Sequence, residues 1–170
     1  MFTSKKNKIT SLVVGPGLST SKQAQSFIRN ILEKTSANIP IVVDADALNT
    51  IAANKIAFTD MGPDRDITIT PHVGEMSRLS GIPQKVIESN RIQVATEYAC
   101  KQGITVVLKG PATVIATHRG EVFVSPWINS GLSKAGSGDV LAGLIGGLNA
   151  QKGFNSVQAC ITGVYIHGLS

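Results

Sequence analysis

Gly136-Ser137-Gly138-Asp139 opens directly into Val140-Leu141-Ala142-Gly143-Leu144-Ile145. A loop of small residues thus feeds a pattern in which Val140, Leu141, Leu144, Ile145 and Leu148 recur at helical spacing. Glycine and serine leave the backbone N–H groups at the start of such a helix uncovered, and the helix dipole adds positive charge there. Together they suit a phosphate or a developing oxyanion. Asp139 fits that setting only if its carboxylate has work of its own, taking a proton or holding a metal. A structural reading stands beside this one, in which Asp139 caps the helix and favours its dipole. The local sequence does not separate the two.

The other chemically unusual residues each follow an apolar run. Gly15-Pro16-Gly17 ends residues 9–14, and Asp44-Ala45-Asp46 ends Ile41-Val42-Val43. Pro71-His72-Val73-Gly74-Glu75 ends Ile67-Thr68-Ile69-Thr70, and Lys109-Gly110 ends residues 104–108. Each run is short and β-branched, so it reads as a strand. Between the runs lie helical patterns. The first carries Ala24, Phe27, Ile28, Ile31 and Leu32 behind Ser19, Thr20 or Ser21 as cap, and the second carries Leu48, Ile51 and Ala52 behind Asp46. A third covers residues 74–79, and a longer one after Pro83 has Ile87, Arg91, Val94, Ala95 and Tyr98 on one face. Residues 113–116 and 121–124 read as an antiparallel hairpin around Thr117-His118-Arg119-Gly120, and a last helix starts near Ser156. Strands alternating with helices predict an α/β fold with a mostly parallel sheet flanked by helices, plus that hairpin. Ligands in such sheets bind beyond the carboxyl ends of the strands, where these residues lie.

The chain has 170 residues, 42% hydrophobic and 16% charged, which describes one globular domain rather than a disordered segment. Its net charge is +5, but past Lys5, Lys6 and Lys8 the basic residues are scattered and lack interleaved aromatics. That argues against nucleic acid and leaves a mild attraction for small anions. No apolar run approaches the ~20 residues that span a bilayer, so no membrane partner is expected. Cys100 and Cys160 read as small buried hydrophobes, with no C-x-x-C motif and no demand for an oxidising compartment; the expected location is cytoplasmic.

Five runs in this order then carry a resemblance: Val-Val-Gly-Pro-Gly-Leu (13–18), Val-Asp-Ala-Asp-Ala-Leu-Asn (43–49), Thr-Pro-His-Val-Gly-Glu-Met-Ser-Arg-Leu (70–79), Val-Leu-Lys-Gly-Pro-Ala-Thr (107–113) and Gly-Ser-Gly-Asp-Val-Leu-Ala-Gly (136–143). Together they resemble the ADP/ATP-dependent NAD(P)H-hydrate dehydratases, a branch of the ribokinase-like fold. The resemblance implies repair of hydrated NADH or NADPH. A phosphoryl group passes from ADP or ATP, with Mg2+, to the hydrate's hydroxyl and is then eliminated as phosphate. It implies Asp139 as catalytic carboxylate and Gly136, Ser137 and Gly138 as the anion hole. It assigns Lys109, Gly110, Pro111, Ala112 and Thr113, with Gly138, to the nucleotide, and Gly17, His72 and Asp139 to the hydrated dinucleotide. Asp46, Asn49 and Glu75 fall in its motifs as residues that shape the site or meet magnesium. The resemblance also leaves room for a homo-oligomer, since the family often forms multimers. The bland readings stay in view: Asp46 as an N-cap, His72 as a loop histidine, Glu75 at a helix start, Lys109 in solvent, and no role for His118 or His167.

Two departures shape the expectation. Lys134 and Ala135 stand where the family has threonine and glycine. The family's domain also has further strands ahead of the Gly-Pro-Gly run and continues past the match to His167-Gly168, so residues 1–170 are expected to be a single partial domain, marginal in stability. Two competing readings follow: a ribokinase-like kinase of a small alcohol such as a hydroxymethylpyrimidine, and an inactive nucleotide-binding remnant.

Overall fold

The computed structural model describes residues 9–62, 65–127 and 136–169. A six-stranded sheet runs in chain order: β1 (Leu12–Val14), β2 (Ile41–Val43), β3 (Ile67–Ile69), β4 (Thr105–Leu108), β5 (Val114–Ala116) and β6 (Val122–Val124). The first four strands are parallel, and β5 and β6 return antiparallel as the hairpin. The helices α1 (Lys22–Lys34), α2 (Ala45–Ala53), α3 (Val73–Ser80), α4 (Gln84–Ser89) and α5 (Arg91–Gln102) connect the parallel strands. Because the strands are added in one direction and such crossovers are right-handed, all five helices fall on one face. The other face is covered by α6 (Ser137–Asn149) and α7 (Ser156–Leu169).

Strand alternation sorts the core into these two layers. Ile41, Val43, Ile67, Ile69, Val106 and Leu108 pack with Ile28, Leu48, Met76 and Ile87. Val42, Val107 and Ile115 pack instead with Leu141, Ile145, Cys160 and Val164. Gly146 lets α6 lie directly on β1, since a Cβ there would come within 2.2 Å of Val13 Cγ2. Among the described residues no helix is long and apolar enough to cross a membrane.

Four expectations are corrected. The helix after Pro83 is two helices, broken at Asn90 (φ −134°, ψ 39°), and Arg91, which opens the second, bonds the Leu108 carbonyl of β4. Asp46 does not cap α2: the helix begins two residues earlier than that cap implies, at Ala45, with Asp44 at the N-cap position. Cys100 is exposed, its Sγ 4.0 Å from Thr117 O, while Cys160 is buried in the layer between α7 and the sheet. Phe27 and Val140 are exposed, on the outward faces of α1 and α6. Asn129 to Ala135, including Lys134, lie outside the described residues.

Candidate active site

The carboxyl ends of β2, β3 and β4 bring three charged side chains together. Lys109, one residue past β4, reaches across the sheet, and its Nζ donates to Asp44 Oδ1 at 2.7 Å. Glu75 Oε2 stands 3.8 Å from the same Nζ. These side chains are nearly out of water, at 17% exposure for Lys109, 6% for Glu75 and 0% for Asp44. Asp44 Oδ2 is buried with no hydrogen-bond partner. One ammonium therefore faces two buried carboxylates, and removing it would leave both uncompensated.

Glu75 is fixed by the start of α3. Gly74 and Glu75 N–H groups donate to His72 Nδ1 at 2.9 and 3.3 Å, and His72 N–H donates back to Glu75 Oε2 at 2.8 Å. This reciprocal pair is a capping box with histidine in the place usually held by serine or threonine. Since Nδ1 accepts, the neutral ring carries its proton on Nε2, which lies 3.6 Å from Glu75 Oε1 on a half-exposed side chain. Glu75 thus sits at a helix start, as its structural reading had it, whereas His72, read there as a loop histidine, caps that helix.

The start of α6 meets this cluster. A Cβ built on Gly138 would lie 3.1 Å from Lys109 Nζ, so the ammonium rests against the first turn of the helix. Gly136 holds the N-cap in a left-handed conformation (φ +86°), with no side chain capping the turn. Asp139 is in that first turn and exposed. His167, in the last turn of α7, has Nε2 2.9 Å from both Ser137 Oγ and Ser137 O. The end of α7 thus holds the beginning of α6.

The Lys109–Thr113 segment, expected to meet the nucleotide, leaves β4 over Arg91. Arg91 Nη2 donates to Leu108 O at 2.8 Å, and a Cβ on Gly110 would fall 2.8 Å from Arg91 Nη1. Burial pulls the Arg91 guanidinium below its usual pKa range, partly offset by Glu88. Thr113 Oγ1 donates to Gly110 O at 3.2 Å, and Ala112 takes a positive φ of 51° in an exposed turn that also contains Pro111. On the far side, Gly15 presses on Asp44, while Gly17 (φ +70°) has open space beside it. Asp46 Oδ2 accepts from Ser19 N at 2.8 Å and so ties that loop to α2. Asn49 Oδ1 accepts from Arg78 Nε at 2.9 Å. Asp46 thus braces a loop and Asn49 ties α2 to α3, whereas Glu75 joins the charged cluster. A cleft of about 1030 Å³ opens at the opposite, amino ends of β3 and β4. Its polar residues largely bond one another there, as in Ser156 to Asp66 and Thr117 to Glu121.

The model of the NAD(P)H-hydrate dehydratase family matches residues 1–170. The chain belongs to that family. A bifunctional NAD(P)H-hydrate repair enzyme of Moorella thermoacetica is 40% identical over 162 residues, 95% of this chain and 29% of its own length. An ADP-dependent (S)-NAD(P)H-hydrate dehydratase of Neisseria meningitidis is 36% identical over 96% of this chain and 55% of its own. In three dimensions, the ADP/ATP-dependent NAD(P)H-hydrate dehydratase of Bacillus subtilis, co-crystallised with ATP and Mg2+ and soaked with CoA, superposes with a TM-score of 0.82. It is 31% identical over 96% of this chain and 57% of that one. A ribokinase-like protein of Enterococcus faecalis also scores 0.82, at 30% identity. The chain thus spans little more than half the length of these dehydratases, and under a third of the Moorella repair enzyme.

Within this dehydratase-family fold, sequence reasoning missed Asp44, Arg91 and His167. Asp44 was legible by parity. It follows Val43 as Lys109 follows Leu108, and Val42 and Val107 both face the α6 layer. One step beyond each strand, an acid and a base were due on the same face. Arg91 and His167 gave no comparable signal, because their partners are a backbone carbonyl and a helix start far along the chain.

Proposed function

We propose that the chain performs the nucleotide-dependent dehydration of hydrated NADH or NADPH, restoring the reduced dinucleotide. The observation that carries this reading is the meeting of the Lys109 ammonium with the first turn of α6, beside Asp139. The names of the relatives, ADP-dependent dehydratases and hydrate repair enzymes, support it. In this reading the amides of Gly136, Ser137 and Gly138 hold the transferring phosphoryl oxygens, with Lys109 supplying positive charge beside them. Preorganised donors of this kind are each worth about 10²–10³-fold in rate. Residues Gly110, Pro111, Ala112 and Thr113 lie along the nucleotide.

Asp139 takes the proton of the hydrate's hydroxyl as its oxygen bonds to phosphorus and the bond to the nucleoside phosphate breaks. The phosphate then departs with the electrons of the carbon–oxygen bond. A proton leaves the neighbouring carbon, and the ring double bond returns. Gly17 and His72 lie on the substrate side, and His72 offers Nε2–H as a donor.

Magnesium fits as a companion of the nucleotide. Among the described residues no group of three or more His, Cys, Asp or Glu side chains could hold a metal. Mg2+ is commonly held by one or two carboxylates together with substrate phosphates. The ion would neutralise phosphate charge; aiming that phosphate is left to the chain's own residues.

The test supplies hydrated NADH, ADP or ATP and Mg2+, and follows recovery of reduced-nicotinamide absorbance. Recovery is expected, and Asp139→Asn should lower kcat by about 10²–10⁴-fold, the scale of general-base catalysis. Phosphorylation of a vitamin-precursor alcohol without recovery, or nucleotide binding with neither activity, would overturn the reading.

A further inference from the structure

We propose that Asp44 is a positioning residue whose carboxylate holds the Lys109 ammonium against the first turn of α6, aiming that charge at the phosphoryl group. The inference rests on the dehydratase reading for the identity of the phosphate donor, and on geometry for everything else.

The first argument is what Asp44 does not do. It occupies the N-cap position of α2, where an aspartate side chain ordinarily accepts from the helix's first amides. Here it makes no side-chain cap bond. Its Oδ1 is turned to Lys109 at 2.7 Å instead, and its Oδ2 is left buried without a partner. A completely buried carboxylate with one oxygen orphaned is a costly arrangement, which marks Lys109 as the reason for it.

The second argument is the geometry of the ammonium. Lysine is a point charge on a flexible stem, with three rotatable donors. Asp44 occupies one of them, while Glu75 Oε2 at 3.8 Å is beyond hydrogen-bond reach. Donors on Nζ therefore remain for an anion. Exposure of 17% leaves the group accessible while its stem is confined. The third argument is the target. Nζ lies so close to Gly138 that a methyl group there would meet it at 3.1 Å. The point charge is thus brought to the same turn, at whose N-cap Gly136 offers no side-chain cap bond. Holding it there before a ligand arrives spares the ordering cost on binding. Glu75, locked by the His72 capping box, sets a second fixed carboxylate 3.8 Å from the ammonium.

Isothermal titration with Mg-ADP and with inorganic pyrophosphate tests this in the whole chain, comparing the parent, Asp44→Asn, Lys109→Met and the double variant. Thermal melts identify the folded preparations. The parent is expected to bind both probes. Asp44→Asn and Lys109→Met should each weaken binding roughly tenfold or more, the scale seen when a residue orienting a ligand-binding group is removed. In the Lys109→Met background, Asp44→Asn should change nothing further, a comparison that stands even if Asp44→Asn alone does not fold. Asp44→Glu, which keeps the carboxylate, should recover part of the affinity. Where turnover is measurable, kcat of Asp44→Asn should fall by about 10²-fold, as for a reacting group displaced by ~1 Å. Full affinity in folded Asp44→Asn, or an added loss in the Lys109→Met background, would overturn the proposal. So would a parent that binds neither probe. Recovery of reduced nicotinamide by the same preparations decides the dehydratase reading separately.

Discussion

Replacing Gly15 by alanine attacks the site through the backbone beneath it. Gly15 has φ of +127°, and a Cβ built there would lie 1.8 Å from the Asp44 carbonyl oxygen and 2.9 Å from Ala47 Cβ. Two penalties follow. A non-glycine residue in that region of backbone space costs about 1–3 kcal/mol. Forcing a methyl group into a filled site costs about a further 1–3 kcal/mol, because the Asp44 peptide must move. The expected loss is about 4 kcal/mol, against the roughly 5–15 kcal/mol that holds a typical domain folded. For a chain of this length that corresponds to a fall in Tm of roughly 8–16 °C. Gly17→Ala is the control: its φ is +70°, but nothing lies within 4 Å of the added Cβ. It should cost only the left-handed penalty, about 1–2 kcal/mol. Urea unfolding followed by circular dichroism gives both values. If the two variants differ by less than about 1 kcal/mol, the contact between Gly15 and Asp44 is soft and the reasoning fails.

Three further outcomes are expected. Gly146→Ala should cost about 1–3 kcal/mol by driving a methyl group into Val13, with much of the loss recovered in Gly146→Ala/Val13→Ala; simple additivity of the two changes in urea melts would refute the close contact. In the native chain a thiol reagent should modify exposed Cys100 quickly and Cys160 only on unfolding. Burial and nearby Asp66 push the Cys160 thiol from 9.0 up to about 12, against an opposing hydrogen bond with Thr68. Burial likewise lifts Tyr98 from 10.0 to about 12. Both groups lose protons first in the unfolded chain, so stability should be full below pH 9 and fall as pH rises from about 9 to 12. Urea midpoints that stay level across that window would contradict the burial of both groups.

The layered fold was legible because its signals are local. β-branched runs, caps and glycine stops recur along the chain, and the one-directional order of parallel strands then leaves few topologies. Ser21 caps α1, Gly103 closes α5 and the hairpin turns at Thr117, as their residue types imply. What escaped were choices between near-equivalent residues. Asp44 and Asp46 are both plausible caps, and only the distant Lys109 decides that Asp44 turns inward while Asp46 braces Ser19. The break at Asn90 was invisible for the same reason. Ile87, Arg91, Val94 and Tyr98 do share helical spacing, and it is the Leu108 carbonyl, on another element, that draws Arg91 in. His167 looked like the end of a helix and is one, yet its ring contacts Ser137 across the fold. Tertiary partners, not local preferences, assigned these side chains.

The hydrogen bond from Lys109 N to Pro71 O, at 2.8 Å, continues the pairing of β3 with β4 beyond both strands. It sets the residues on either side of it, Lys109 and the His72–Glu75 capping box, in one alignment. Everything between Pro71 and the start of β4 is an excursion through α3, α4 and α5 that leaves the sheet and rejoins it. Residues can be gained or lost in the connections of that excursion, as at the turns after α3 and α5, without changing which groups meet. A single residue inserted within β4 would reverse the faces of everything after it, turning Lys109 towards the α3 side and dissolving the cluster. Chain length is therefore negotiable in the detour and fixed at the point of return, and that asymmetry tells an engineer where this scaffold will accept new sequence.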